Sequence, residues 1–297
     1  MIKAMGLRHM QHSNILKINS DFTDSSLPSD SSSLELRLEK GDLIYPSWSL
    51  DSILNSDELK VLCSYKPKGL WHQTISFHPN NGRLAGSNSK ELETLLGRVS
   101  KVLMDKIHVL LPKYDGAIRL DRVVLNNAEA ATSGGKNIAK DDLLHLDTLK
   151  GGLLGETRVV KLSCNINFTN TRIWEKGPSL ASLLADSRAR AELTLHSKSG
   201  FYHDHSGNNV AAMLEKIGVT LRQSEVIQKK IPRKVVVFPA QSFWLAMTDV
   251  CLHSTLRGSN VLELMFFVQD QALCSGDLSA PCLLHSFFSS AIKQAAA

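Results

Sequence analysis

The sequence predicts an α+β protein with a β-sandwich or jelly-roll core and flanking helices. Three observations carry that reading: one long amphipathic helix in the first half, several apolar or alternating runs in the second, and a polar, helical-looking stretch between those runs. Helix first, then several strands with a long insertion, is the order that suggests this class. With 297 residues, 43% hydrophobic and 21% charged, the chain has the size and composition of an ordinary globular protein with a real core.

Residues 1–34 read as a flexible arm. Within them, "NSDFTDSSLPSDSSS" (19–33) is rich in serine and aspartate and short of apolar residues. Residues 35–297 read as a single domain. "TISFHPNNGRLAG" (74–86) has two short strands around an Asn-Gly turn. Next comes the helix. Asn88 is its expected cap and Glu91 the other half of a capping box. Leu92, Leu95, Leu96, Val99, Val102, Leu103, Ile107, Leu110 and Leu111 recur at spacings of three and four, and Pro112 stops them. This helix should back the core and carry no chemistry. Strands are expected at "RVVKLSCNINF" (158–168), "KVVVFP" (234–239), "SFWLAMTD" (242–249) and "NVLELMFFV" (260–268), with a helical insertion near 179–230.

The formal charge is +5 and the basic residues are scattered. No basic block of the kind that grips nucleic acid stands out, and a mild preference for anionic partners, such as a phosphorylated glycolipid or an acidic membrane face, is what remains. Cys63, Cys164, Cys251, Cys274 and Cys282 are odd in number and form no C-x-x-C pair, so reduced cysteines in a cytoplasmic protein are expected. No apolar run approaches the ~18 residues of a membrane span. The first residues show no apolar secretory segment, which leaves the sequon at Asn167 incidental.

The chemistry concentrates in "DDLLHLDTLKGG" (141–152). His145 and Asp147 stand at i and i+2 and point the same way from an extended chain. Such a pair alone also arises by chance among eleven histidines. A third ligand is found far downstream: His253 follows a strand-like run, just before a turn with Gly258. His-x-Asp with a distant His is the pattern of the two-histidine, one-carboxylate triad, which suits Fe(II) and leaves a face open for a 2-oxo acid and O2. A 2-oxoglutarate cosubstrate also needs a cation for its distal carboxylate. Lys161, on a strand ending in Asn165-Ile166-Asn167, is the first choice and Arg257 the second. Asn165 and Asn167 are candidates to bond the ligand or an iron-bound water. Arg172 and Trp174, in "TRIWEKG", are candidates for a cationic and stacking surface. Tyr202-His203-Asp204-His205 is a rival His-rich cluster, better read as a polar loop.

"KNIAKDDLLHLDT", "RVVKLSCNINFTNTRIWEKG" and "FPAQSFWLAMTDVCLHSTLRGSNVLELMFF" together resemble the Kdo hydroxylase family, Fe(II)/2-oxoglutarate dioxygenases that oxidise the 3-deoxy-manno-octulosonic acid (Kdo) sugar of lipopolysaccharide. The matching positions are Lys140-Asp141-Asp142, His145, Asp147, Asn165, Asn167, Arg172, Trp174, Phe238-Pro239, Trp244, Thr248-Asp249, His253, Gly258 and Leu262-Glu263. The likeness covers most of residues 35–285 and thins at 148–152 and 200–220. It implies a double-stranded β-helix (jelly-roll, cupin-like) fold, with iron on His145, Asp147 and His253 and 2-oxoglutarate on Lys161 or Arg257. It also implies an anionic Kdo glycolipid substrate contacted by Arg119, Arg122, Arg172 and Trp174, and a cytoplasmic enzyme, peripheral at most to the inner membrane. Two alternatives stay open here: a 2-oxoglutarate oxygenase with a protein or small-molecule substrate, and a non-catalytic jelly-roll binding protein. A zinc hydrolase on the same ligands lacks an evident base.

Overall fold

The structure, a computed structural model, describes residues 17–19, 33–67, 74–130, 142–147, 157–197 and 208–295. The His-rich cluster at 202–205 lies outside the described residues.

The first half runs β1 (Lys17–Asn19), α1 (Leu34–Glu39), β2 (Tyr45–Ser47), α2 (Ser56–Ser64), β3 (Ile75–His78), β4 (Arg83–Ala85), α3 (Lys90–Leu110) and β5 (Ile118–Asn126). The second half adds β6 (Thr157–Asn165), β7 (Arg172–Ser179), α4 (Leu180–Ala185), α5 (Ser187–Ser197), α6 (Asn208–Gln223) and α7 (Glu225–Lys230). The chain then continues through β8 (Lys234–Phe238), β9 (Phe243–Met247), β10 (Cys251–Arg257), β11 (Val261–Gln269) and α8 (Ala280–Ala295). The strands form a six-stranded sheet in the order β4-β3-β5-β11-β6-β9 and a three-stranded sheet in the order β10-β7-β8, both antiparallel throughout, while β1 and β2 pair in parallel as a small sheet of their own. A mixed helical and antiparallel-sheet architecture is therefore observed.

Strand alternation divides the large sheet into two faces. Val160, Leu162 and Cys164 of β6 and Leu262, Leu264 and Phe266 of β11 join the cluster that holds Leu92, Leu96, Val99, Leu103 and Ile107 of α3. The long helix thus backs the core, as its periodicity predicts. Its cap differs from expectation. Ser89, not Asn88, takes the extended cap conformation, and its hydroxyl accepts from the Leu92 N–H at 3.2 Å. The same hydroxyl lies 2.6 Å from the Tyr65 hydroxyl. Ser89→Ala removes both contacts and should cost about 1–2 kcal/mol of stability, read as a lowered thermal midpoint; Asn88→Ala should not.

The other face of the large sheet looks toward the small one. Trp174 and Phe238 of the small sheet pack with Trp244, Ala246 and Val261 of the large one. The insertion expected at 179–230 is α4–α7. These helices and α8 bury Leu180, Leu183, Leu221 and Leu284 against Leu144, Leu146, Val159 and Phe267. Two further departures from the sequence reading matter. β7 was not expected as a strand. His253, expected just past a strand end, sits inside β10, and the turn comes only at Gly258, whose φ of +117° ends the ladder. A Cβ at Gly258 would come within 2.9 Å of the Arg172 Cα, so the close approach there requires glycine.

Candidate metal centre

The segment carrying His145 and Asp147 docks beside β10. The His145 N–H donates to the His253 carbonyl and the His253 N–H to the His145 carbonyl, each at 3.0 Å. One step on, the Asp147 N–H donates to the Thr248 carbonyl at 3.0 Å, and the Thr248 N–H to the Val159 carbonyl at 2.9 Å. On the other flank the Gln228 side chain of α7 imitates a strand neighbour: its Oε1 accepts from the Leu144 N–H at 3.0 Å and its Nε2 donates to the Leu144 carbonyl at 2.9 Å. The early ligand pair is therefore registered against the late histidine by backbone hydrogen bonds.

This pairing sets the imidazoles side by side, ring centroids 4.5 Å apart. Each Nδ1 faces a carbonyl, Leu143 at 2.8 Å for His145 and Cys251 at 3.0 Å for His253. A carbonyl only accepts, so each Nδ1 is the hydrogen-bearing nitrogen, and in a neutral ring Nε2 is then the nitrogen left to coordinate. Trp174 stacks on His253 with centroids 4.9 Å apart at 26°. Ligand atoms of His145, Asp147 and His253 all lie within 4.8 Å of one another. Lys161 Nζ stands 2.7 Å from Asp147 Oδ2.

The electrostatics favour a cation. Burial alone would raise the Asp147 carboxyl, but Lys161, His253 and His145 together outweigh it and hold Asp147 well below the usual carboxylate range. Burial, followed by the neighbouring His145, pulls His253 down to about 3. It is thus a neutral imidazole at ordinary pH. Two imidazole nitrogens and one carboxylate oxygen form the donor set of non-haem iron sites, and the residues fit that metal. A depressed histidine pKa means that the unfolded chain binds more protons between the two values. Stability from this group is then complete above about 6.5 and is lost as pH falls toward about 3; Asp147 acts in the same direction. The metal-free protein should show a thermal midpoint that drops over that window, and His253→Phe should flatten the drop.

The model of the 3-deoxy-D-manno-oct-2-ulosonic acid (Kdo) hydroxylase family matches residues 22–290. The chain belongs to the Kdo hydroxylase family. Among solved structures, the apo form of the Kdo hydroxylase KdoO, a non-heme Fe(II) alphaketoglutarate-dependent dioxygenase, superposes with a TM-score of 0.67 at 25% identity, covering 85% of this chain and 88% of that one. KdoO with succinate and Fe(III) gives 0.69 at 23% identity, covering 93% and 96%. KdoO with alphaketoglutarate and Fe(III) gives 0.68 at 24% identity over the same shares. No curated protein matches the sequence.

In this Kdo hydroxylase family member the remaining sequence candidates separate into two groups. Lys161, Arg122 and Arg119 share the face of the large sheet that looks toward the ligands, although Arg119 is exposed at its rim, 5.6 Å over the Phe267 ring. The others, Arg257 apart, hold the frame. Asn165 Nδ2 reaches the carbonyls of Asn170, Phe238 and Pro239 at 2.9–3.2 Å, and its Oδ1 accepts from the Asn167 N–H and Nδ2. Asn167 Nδ2 donates to Ser259 O at 2.6 Å and its Oδ1 accepts from Asn260. Both amides, expected to face a ligand, are occupied in tying loops together. Arg172 is buried and donates to the Gly258 carbonyl at 3.0 Å. Trp174, expected to stack on substrate, is buried against Trp244, Phe238 and His253. Arg257 is exposed at the far end of β10, opposite Ile173. The sequence reading missed Gln228 altogether and gave Thr248 a family match without a role, since a side-chain amide and a main-chain carbonyl leave no spacing signal.

Proposed function

We propose that the protein is an Fe(II)- and 2-oxoglutarate-dependent dioxygenase that hydroxylates a C–H of a Kdo sugar in lipopolysaccharide. The observation that carries this reading is the meeting of His145, Asp147 and His253 within 4.8 Å in a chain of the Kdo hydroxylase family. Iron and 2-oxoglutarate, when bound, supply the oxidising power: the cosubstrate is decarboxylated to succinate as one oxygen atom enters the substrate. The protein supplies placement. His145 and His253 offer Nε2, with their Nδ1 atoms held by backbone carbonyls, and Asp147 offers the anion. Lys161 neutralises Asp147 at 2.7 Å. A metal cation would take over that task and free the ammonium for the distal carboxylate of the cosubstrate. Trp174, Trp244 and Phe238 wall one side and keep the His253 ring in place.

We read the two facing sheets as a double-stranded β-helix, and residues 35–297 as one catalytic domain with α4–α7 inserted beside the centre. Among the described residues no helix is long and apolar enough to cross a membrane. A formal charge of +5 and free cysteines suit an anionic glycolipid met from a reducing compartment, by peripheral contact with an acidic membrane surface. The test is incubation with Fe(II), 2-oxoglutarate, air and purified Kdo-containing lipid. A mass gain of one oxygen, matched by succinate, is expected. Succinate without a modified sugar would move the substrate elsewhere, and no succinate with any substrate would remove the enzyme reading.

A further inference from the structure

The register of the large sheet places a second set of polar groups beside the metal ligands. On β11, Met265 pairs with Lys161 on one side and Arg122 on the other, and Glu263 pairs with Ser163 and Val124. Leu262 and Leu264 point away into the α3 core. Glu263 therefore shares the inward face with Lys161 and Arg122 and is diagonal to both, at about 7–8 Å between such neighbours. Toward one end, this face is closed by the apolar Val159 and Phe267. Toward the other it is closed by Val261, and Trp244 flanks the rung of Ser163 and Glu263 itself. The polar belt between them lies level with Lys161 and its partner Asp147.

Long side chains at those separations ordinarily pair. Here they do not. Lys161 Nζ is drawn to Asp147 at 2.7 Å. Arg122 Nε faces its neighbour Asp121 at 3.2 Å, and its Nη2 rests on Met265 Sδ at 3.3 Å. Glu263 is half-buried and has no hydrogen-bond or ion-pair partner among the described residues. An inward carboxylate between two cations, without a partner among the described residues, has acceptor capacity for a ligand. A guanidinium beside it can bind a carboxylate through two parallel hydrogen bonds. A carboxylate accepts well from paired hydroxyls. A sugar that carries both a carboxylate and ring hydroxyls satisfies the two groups at once.

We infer that Arg122 and Glu263 form the sugar-acid subsite: Arg122 takes the carboxylate of the ulosonic acid, and Glu263 accepts hydrogen bonds from its hydroxyls. The inference rests on the proposed Kdo hydroxylase function and names the residues that select its substrate. Neither residue belongs to the metal triad, so their effects separate from those on metal.

The experiment uses the full chain loaded with Co(II) and 2-oxoglutarate under anaerobic conditions, titrated with free Kdo and with Kdo carboxamide, which lacks the charge. Wild type should bind the acid more tightly than the amide. Arg122→Gln should erase that preference, and Glu263→Gln should weaken both ligands by about 10–100-fold, with Co(II) affinity retained in each. Glu263→Asp should recover part of the loss. Unchanged affinity in Glu263→Gln, or a full acid preference in Arg122→Gln, overturns the subsite while leaving the dioxygenase reading intact. Failure of wild type to bind Kdo, while Co(II) and 2-oxoglutarate still bind, overturns the Kdo substrate and the subsite with it.

Discussion

Replacing Asp147 with alanine is expected to abolish metal binding, and turnover with it. The carboxylate is the only anionic donor of the triad; His145 and His253 are neutral groups when they coordinate. Its loss does more than delete a ligand. Lys161 Nζ sits 2.7 Å from Asp147 Oδ2, so the variant leaves an ammonium facing two imidazoles, and its charge repels any incoming cation. Substitution of outer-shell partners typically costs about 10–100-fold in metal affinity, and Asp147→Ala should exceed that range. A Co(II) titration followed by visible absorption measures it, with far-UV circular dichroism as the check on folding. Backbone pairing between His145 and His253 is independent of the Asp147 side chain, so the fold should survive. Co(II) affinity within the outer-shell range would remove Asp147 from the metal.

The second large effect concerns Lys161. Lys161→Ala should raise the 2-oxoglutarate KM by about 10–100-fold, the loss of one charge-assisted hydrogen bond in a sheltered site. Arg257→Ala should leave it unchanged, because that side chain is exposed at the far end of β10. The reverse outcome would transfer the cosubstrate role to Arg257. Lys161→Ala has a further consequence in the metal-free protein. Lys161 is the leading favourable influence that keeps Asp147 ionised despite burial. Without it the Asp147 pKa should move upward, and metal binding should fail at a higher pH than in wild type as pH is lowered.

Parts of this site were legible in the sequence for stateable reasons. His145 and Asp147 announce themselves because i and i+2 share a side of any extended chain. Lys161, Val160 and Leu162 reveal their faces through the alternation of "RVVKLSC". The long apolar strands β6, β9 and β11 and the helix α3 follow from periodicity. β7 was hidden because "EKGPS" mixes charge, glycine and proline, a composition that reads as loop; here it is accommodated between β10 and β8. The strand character of His253 was hidden by Ser254 and Thr255, which read as turn but lie buried in β10. Asn165 and Asn167 were misread for a different reason. Their residue type is equally suited to a ligand and to unsatisfied carbonyls, and only the folded loops show which one claims them. Trp174 is expected as a stacking surface for substrate; in the structure it is buried and stacks on His253. Glu263 carried a family match with no spacing to give it a role; the sheet register places it on the inward face beside Lys161 and Arg122.

The most direct measurement is a crystal structure of the protein soaked anaerobically with Fe(II) and 2-oxoglutarate, with anomalous diffraction at the iron edge. The expected result is one anomalous peak bonded to His145 Nε2, an Asp147 carboxylate oxygen and His253 Nε2, with 2-oxoglutarate on its open side and the distal carboxylate at Lys161. Iron bound by other residues, or these three side chains left without metal at saturating Fe(II), would contradict the assignment.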